Sequence, residues 1–115
     1  MYKGLLIKES LSDETILDLV EITNVELWAT EHTPKYWTAI SFVSHCMQFP
    51  ERLSNALRED ARMKWYVDFS TEQTKYIVLK NLVLQYEIGN HAEKEGVIKT
   101  CMERGVPVEQ LDWSE

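Results

Sequence analysis

In the stretch "GNHAEKEGVIKTC", Gly89 to Cys101, one histidine, two glutamates and one cysteine raise the question of a metal site. His91-Ala92-Glu93 matches the H-x-E half of the zinc-deaminase signature, but the P-C-x-x-C half is missing. His91 and Cys101 are ten residues apart, about 15 Å along a helix that rises 1.5 Å per residue. Zinc ligands converge on one ion through bonds of roughly 2.0 to 2.3 Å. These two side chains therefore cannot share an ion within one helix, and a capped helix accounts for the stretch better. Asn90 is a favoured N-cap, and Glu93 follows at capping-box spacing. Val97, Ile98, Cys101 and Met102 form an apolar stripe, Gly105 ends it and Pro107 follows. We expect no metal and no cofactor.

A second constellation is "SHCM", Ser44 to Met47, with His45 beside Cys46 just ahead of a helix. A helix N-terminus lowers a nearby thiol pKa, so a Cys-His nucleophile comes into question. However, neighbours on an extended segment point to opposite sides, and nothing in the sequence orients the histidine. Cys46 reads as a partly buried loop residue and His32 as an exposed one. No serine nucleophile motif occurs, and "GNHAEKEG" lacks the glycine spacing and Lys-Ser/Thr pair of a phosphate loop. No catalytic residue is expected.

The elements that carry these residues make one domain. The 115 residues are 44% hydrophobic and 27% charged, with only 4 Gly and 3 Pro, which suits a packed core. Nineteen acids against 12 bases leave a net charge of −7, with Lys and Arg scattered singly. Such a surface repels phosphate, so neither nucleic acid nor an anionic membrane is an expected partner. No apolar run nears the roughly 20 residues of a membrane span, and "MYKGLLIKES" has no signal-peptide cleavage site. Two unpatterned cysteines argue against a disulfide scaffold. A cytoplasmic location is expected.

"YKGLLIKES" reads as a first strand from residue 2, firmest over Leu5 to Lys8. "LSDETILDLVE" reads as a helix with Ser12 as N-cap and Ile16, Leu17, Leu19 and Val20 buried. "NVELWAT" alternates, with Val25, Leu27 and Ala29 on one face and Glu26, Trp28 and Thr30 on the other. "EHTPK" turns into the aromatic and β-branched strand "YWTAISFVS". "FPERLSNALRED" reads as a helix begun by Pro50. "MKWYVDFS" alternates with Trp65, Val67 and Phe69 opposite Tyr66 and Asp68. "KYIVLK" and "LVLQYEIG" form a hairpin turning near Lys80-Asn81 before the last helix. Leu111 and Trp113 predict a tail docked on the body.

The order β-α-β-β-α-β resembles the split βαβ, or ferredoxin-like, arrangement, extended by a β-hairpin and a C-terminal helix. That resemblance implies an α+β, two-layer sandwich with a mostly antiparallel sheet, and no particular activity. With helices on one face, the other must meet solvent, the third helix or a partner. The alternation puts Glu26, Trp28, Tyr66 and Asp68 on that less apolar face, the residue types of an interface core or a small-molecule pocket. The expected role is a non-enzymatic binding or regulatory module acting through this face, as a homodimer. The alternatives are a small-molecule binder or enzyme with a pocket on the same face, and an acidic inhibitor or immunity-type protein for a basic partner.

Overall fold

A computed structural model describes residues 1–60 and 63–115. The chain is α+β, with one six-stranded sheet in which every neighbouring pair is antiparallel. Strands β1 (Tyr2–Ile7), β2 (Glu21–Ala29), β3 (Tyr36–Ser44), β4 (Val67–Ser70), β5 (Thr74–Leu79) and β6 (Leu82–Glu87) stand in the order β2-β3-β1-β4-β5-β6. The added hairpin β5–β6 thus extends the β4 edge. Its two-residue turn is Lys80-Asn81, with Asn81 left-handed at φ 60°. Helices α1 (Phe49–Ala56) and α2 (His91–Glu103) complete the regular elements. Among the described residues, no helix is long and apolar enough to cross a membrane.

The front face of the sheet carries the larger core. Leu6, Ile40, Phe42, Val67, Phe69 and Val78 pack against Phe49, Leu53 and Leu57 of α1 and its end. Gly4 permits this packing, because a Cβ there would lie 2.5 Å from the Cβ of Phe69. The strand β1 therefore approaches β4 at the one residue with no side chain to clash. On the back face Ile77, Leu79 and Tyr86 pack against Val97 and Cys101 of α2, Val106 and Trp113. The two-layer expectation is corrected accordingly: α2 and the tail form a partial third layer behind β5 and β6.

Helix α2 forms as its caps predict. The Asn90 side chain accepts from the Glu93 amide, while the Glu93 carboxylate reaches back to accept from the Glu87 amide. Gly105, at φ 94°, takes the left-handed position, and the amides of Gly105 and Val106 donate to the carbonyls of Met102 and Cys101. This is a Schellman closure.

The first predicted helix is a correction. Residues 8–10 and 14–19 form short 3-10 segments, and Asp13, not Ser12, caps the second by accepting from the Thr15 amide. The reason is long-range. The Ser12 amide and hydroxyl both donate to the Ala56 carbonyl, and Leu11 pairs with Leu57 in a single antiparallel bridge. Those bonds hold 11–12 extended, and β2 begins at Glu21, so too few residues remain to offset α-helix nucleation. The same bridge ends α1 at Ala56, short of the predicted 60.

Two further strand readings change. Val25 and Leu27 share a face as predicted but are 55% and 69% exposed, since β2 is the sheet edge and the helix layer stops short of it. Strand β4 begins at Val67, so Trp65 lies outside the ladder and is free to turn toward the back face.

Candidate functional site

Cross-strand partners share a face, so register places the predicted site residues. Trp28 stands opposite Trp37, Glu26 opposite Ala39, and Ala39 opposite Ile7. Leu5 lies between Ser41 and Asp68, and Ser41 faces Asn24. Glu26, Trp28 and Asp68 therefore project from the back face, away from α1. Tyr66 precedes β4 on the same side, edge-on to Trp113 at 6.0 Å.

The third layer covers only the β5–β6 end of this face. Over β1, β3 and β2 it leaves a cleft of about 600 Å³, walled by the hairpin β2–β3, residues 63–66 and the tail at 109–112. Trp28, Trp37, Trp65 and Tyr66 supply its aromatic walls, with Leu5 and Ile7 as the floor. Asp68, Glu109 and Asp112 also line it, with Lys64 and His32 among the described residues. Three of the four predicted residues line one cleft. Glu26 acts at one remove: its carboxylate accepts from Trp28 Nε1 at 3.0 Å and from Asn24 Nδ2 at 3.3 Å. Residues two apart on one strand face are neighbours, which is why Glu26 can steady the indole.

The tryptophans form a connected group. His32 stacks on Trp37 at 5.3 Å with planes 9° apart, and Trp37 meets Trp65 at 5.0 Å and 57°. The loop that carries His32 is tied down by Thr30, whose amide donates to the Lys35 carbonyl and whose hydroxyl oxygen accepts from the His32 amide. The Nε1 atoms of Trp37 and Trp65 are enclosed yet have no hydrogen-bond partner among the described residues. A buried donor without an acceptor costs about 1 to 3 kcal/mol.

The opposite wall is built from ionic and hydroxyl contacts. Lys75 is buried at 5% exposure, and its ammonium donates to Asp68 Oδ1 at 2.8 Å and to the Ser114 carbonyl at 2.7 Å. The Tyr66 hydroxyl donates to the Gln110 carbonyl. Burial pushes the Tyr66 pKa up to about 12, with the Asp68 and Asp112 carboxylates adding to the effect. The Tyr86 hydroxyl donates to Glu115 Oε1 and accepts from Trp113 Nε1, both at 2.9 Å. The docked tail thus fixes the acidic wall of the cleft.

The other sequence candidates lie apart. His91 is exposed at the start of α2, whereas Cys101 is buried near its end. His45 is exposed, and Cys46 packs at the margin of the front core. Sequence reasoning missed Trp37 and Trp65, whereas His32 is the exposed loop residue that was expected, here stacked on Trp37. Trp37 was readable in principle as the cross-strand partner of Trp28 once the hairpin register is counted from its loop. No family model, curated protein or solved structure matches the chain.

Proposed function

We propose that this chain is a non-enzymatic binding module whose ligand sits in the aromatic cleft on the back of the sheet. The observation that carries this reading is the cleft itself: three tryptophans and a tyrosine around about 600 Å³, within the roughly 300 to 1,000 Å³ of ordinary ligand sites. Binding is favoured over acid–base catalysis by the two carboxylates nearest the sheet, both already engaged, Asp68 by Lys75 and Glu26 by Trp28. Native mass spectrometry of protein purified from its own cells tests the reading. A retained mass of small-molecule size that is lost in Trp28→Leu supports it; a bare chain that no compound in a metabolite panel shifts would count against it.

A homodimer is favoured by a different feature. Among the described residues the outer edge of the nine-residue β2 has no pairing strand, and β2 carries exposed Ile22, Val25 and Leu27. Long apolar edges offer a ready template for pairing with another chain. Sedimentation of wild type and Leu27→Lys should give dimer and monomer; two monomers would dispose of the idea.

We read the topology as ferredoxin-like. The antiparallel order β2-β3-β1-β4 supports this, with the first crossover made by 3-10 turns and a hairpin added beyond β4. The two unpaired thiols, Cys46 and Cys101, support a reducing, cytoplasmic location.

A further inference from the structure

We propose that the cleft selects an organic cation, an ammonium group dressed in apolar substituents such as an alkylated amine. The inference rests on the cleft being a ligand site, and four features of its walls give the ligand its charge.

The first is the surface that the indoles offer. Trp28, Trp37 and Trp65 line the cleft, the Nε1 atoms of Trp37 and Trp65 are enclosed away from it, and one face of Trp37 is stacked on His32. Aromatic faces carry the negative part of the ring quadrupole and attract cations held within about 6 Å of the centroid. The second is the bond from Trp28 Nε1 to the Glu26 carboxylate at 3.0 Å. An anionic acceptor on the N–H draws electron density into the indole, which makes its face more attractive to a cation. The third is the balance of charge. Among the described residues, Asp68, Glu109 and Asp112 line the cleft with Lys64, and because Lys75 pairs with Asp68 it is Glu109 and Asp112 that carry the excess of negative charge.

The fourth is the placing of two carboxylates, Asp68 and Asp112, near Tyr66, where they add to the rise that burial gives its pKa. Burial penalises a charge of either sign, so it is the carboxylates alone that favour a cation there. The size and greasiness of the cation follow from the same walls. Among the described residues no three His, Cys, Asp or Glu side chains converge to hold a metal ion. A bare or hydrated inorganic ion would find few oxygens here, whereas methyl groups on nitrogen match Leu5, Ile7 and the ring faces. Both a free ammonium metabolite and an alkylated lysine of a partner protein carry this chemistry.

The experiment titrates the intact chain with choline and with 3,3-dimethylbutan-1-ol, its neutral isostere, reading indole fluorescence. Acetyl-trimethyllysine amide and a carboxylate of similar bulk are titrated alongside. The expected result is saturable binding of choline or the lysine derivative, at least roughly fivefold tighter than the neutral isostere, as cation–π attraction of about 1 kcal/mol implies. Asp112→Asn and Glu109→Gln, both at exposed positions, should each weaken the cations and leave the neutral compound unchanged. Tighter binding of the lysine derivative identifies a protein side chain as the source, and tighter choline a free metabolite. Equal binding of cation and neutral isostere, or preference for the carboxylate, overturns the charge selection while leaving the cleft as a site. No response to any of the four compounds overturns both.

Discussion

Replacing Trp113 by alanine should destabilise the chain more than any other single change in the tail. Trp113 is 8% exposed, and it packs with Ile77, Tyr86, Val97 and Cys101 behind the sheet. Truncating a buried tryptophan to alanine costs about 3 to 5 kcal/mol. Its indole also donates to the Tyr86 hydroxyl at 2.9 Å, a bond worth about 1 kcal/mol. A domain of this size has a total stability of roughly 5 to 15 kcal/mol, so the variant loses a large share of it. The melting temperature should fall by about 12 to 20 °C, at roughly 4 °C per kcal/mol. Trp113→Phe still fills most of the site but gives up the N–H and the second ring of the indole, so its cost should be about 1 to 2 kcal/mol. Urea unfolding followed by far-UV circular dichroism separates the two without relying on tryptophan emission. An alanine variant within 1 kcal/mol of wild type would refute the reasoning. So would a phenylalanine variant as weak as the alanine one, since burial and not the hydrogen bond is held to dominate.

Three other outcomes are expected. Gly4→Ala should cost roughly 1 to 3 kcal/mol in the same unfolding assay, because its Cβ would meet the Cβ of Phe69 at 2.5 Å and force β1 from β4. Asp68→Asn should cost about 2 to 3 kcal/mol: it leaves the buried Lys75 ammonium with the Ser114 carbonyl and no counter-charge, and the partial exposure of Asp68 tempers the loss. Stability should also decline in alkali. Burial pushes both Tyr66 and Tyr86 up to about 12 from the usual 10, so the folded state keeps protons that the unfolded chain releases. Their contribution is fully present below pH 10 and is lost as pH rises toward 12, by up to about 1.4 kcal/mol per unit for each tyrosine. Urea midpoints at pH 8, 10 and 11 check this.

The elements whose signals are local were legible in the sequence. Strand β3 runs from Tyr36 to Ser44 as its aromatic and β-branched composition predicts. Helix α2 starts and stops at its caps, Asn90 and Gly105. The elements that failed were decided by distant partners. Ser12 has the chemistry of an N-cap, but the carbonyl of Ala56 claims its donors, and a helix becomes two 3-10 segments. Val25 and Leu27 alternate as a buried face should, yet their strand is the sheet edge, a fact of topology that periodicity does not carry. The candidate site was legible in part for the same reason. Trp28, Tyr66 and Asp68 follow from alternation alone, whereas Trp65 reaches the cleft because β4 starts two residues after it. The burial of Lys75 depends on a tail carbonyl 39 residues away.

The most direct test of the central claim reads the four indole N–H resonances in a ¹H–¹⁵N spectrum while a fragment library is added. Trp28, Trp37 and Trp65 line the cleft, and Trp113 is buried in the neighbouring core, which makes it an internal reference. A ligand that shifts the first three signals saturably and leaves Trp113 still is the result the cleft reading requires. Fragments that move none of the three, or that move Trp113 alone, would contradict it.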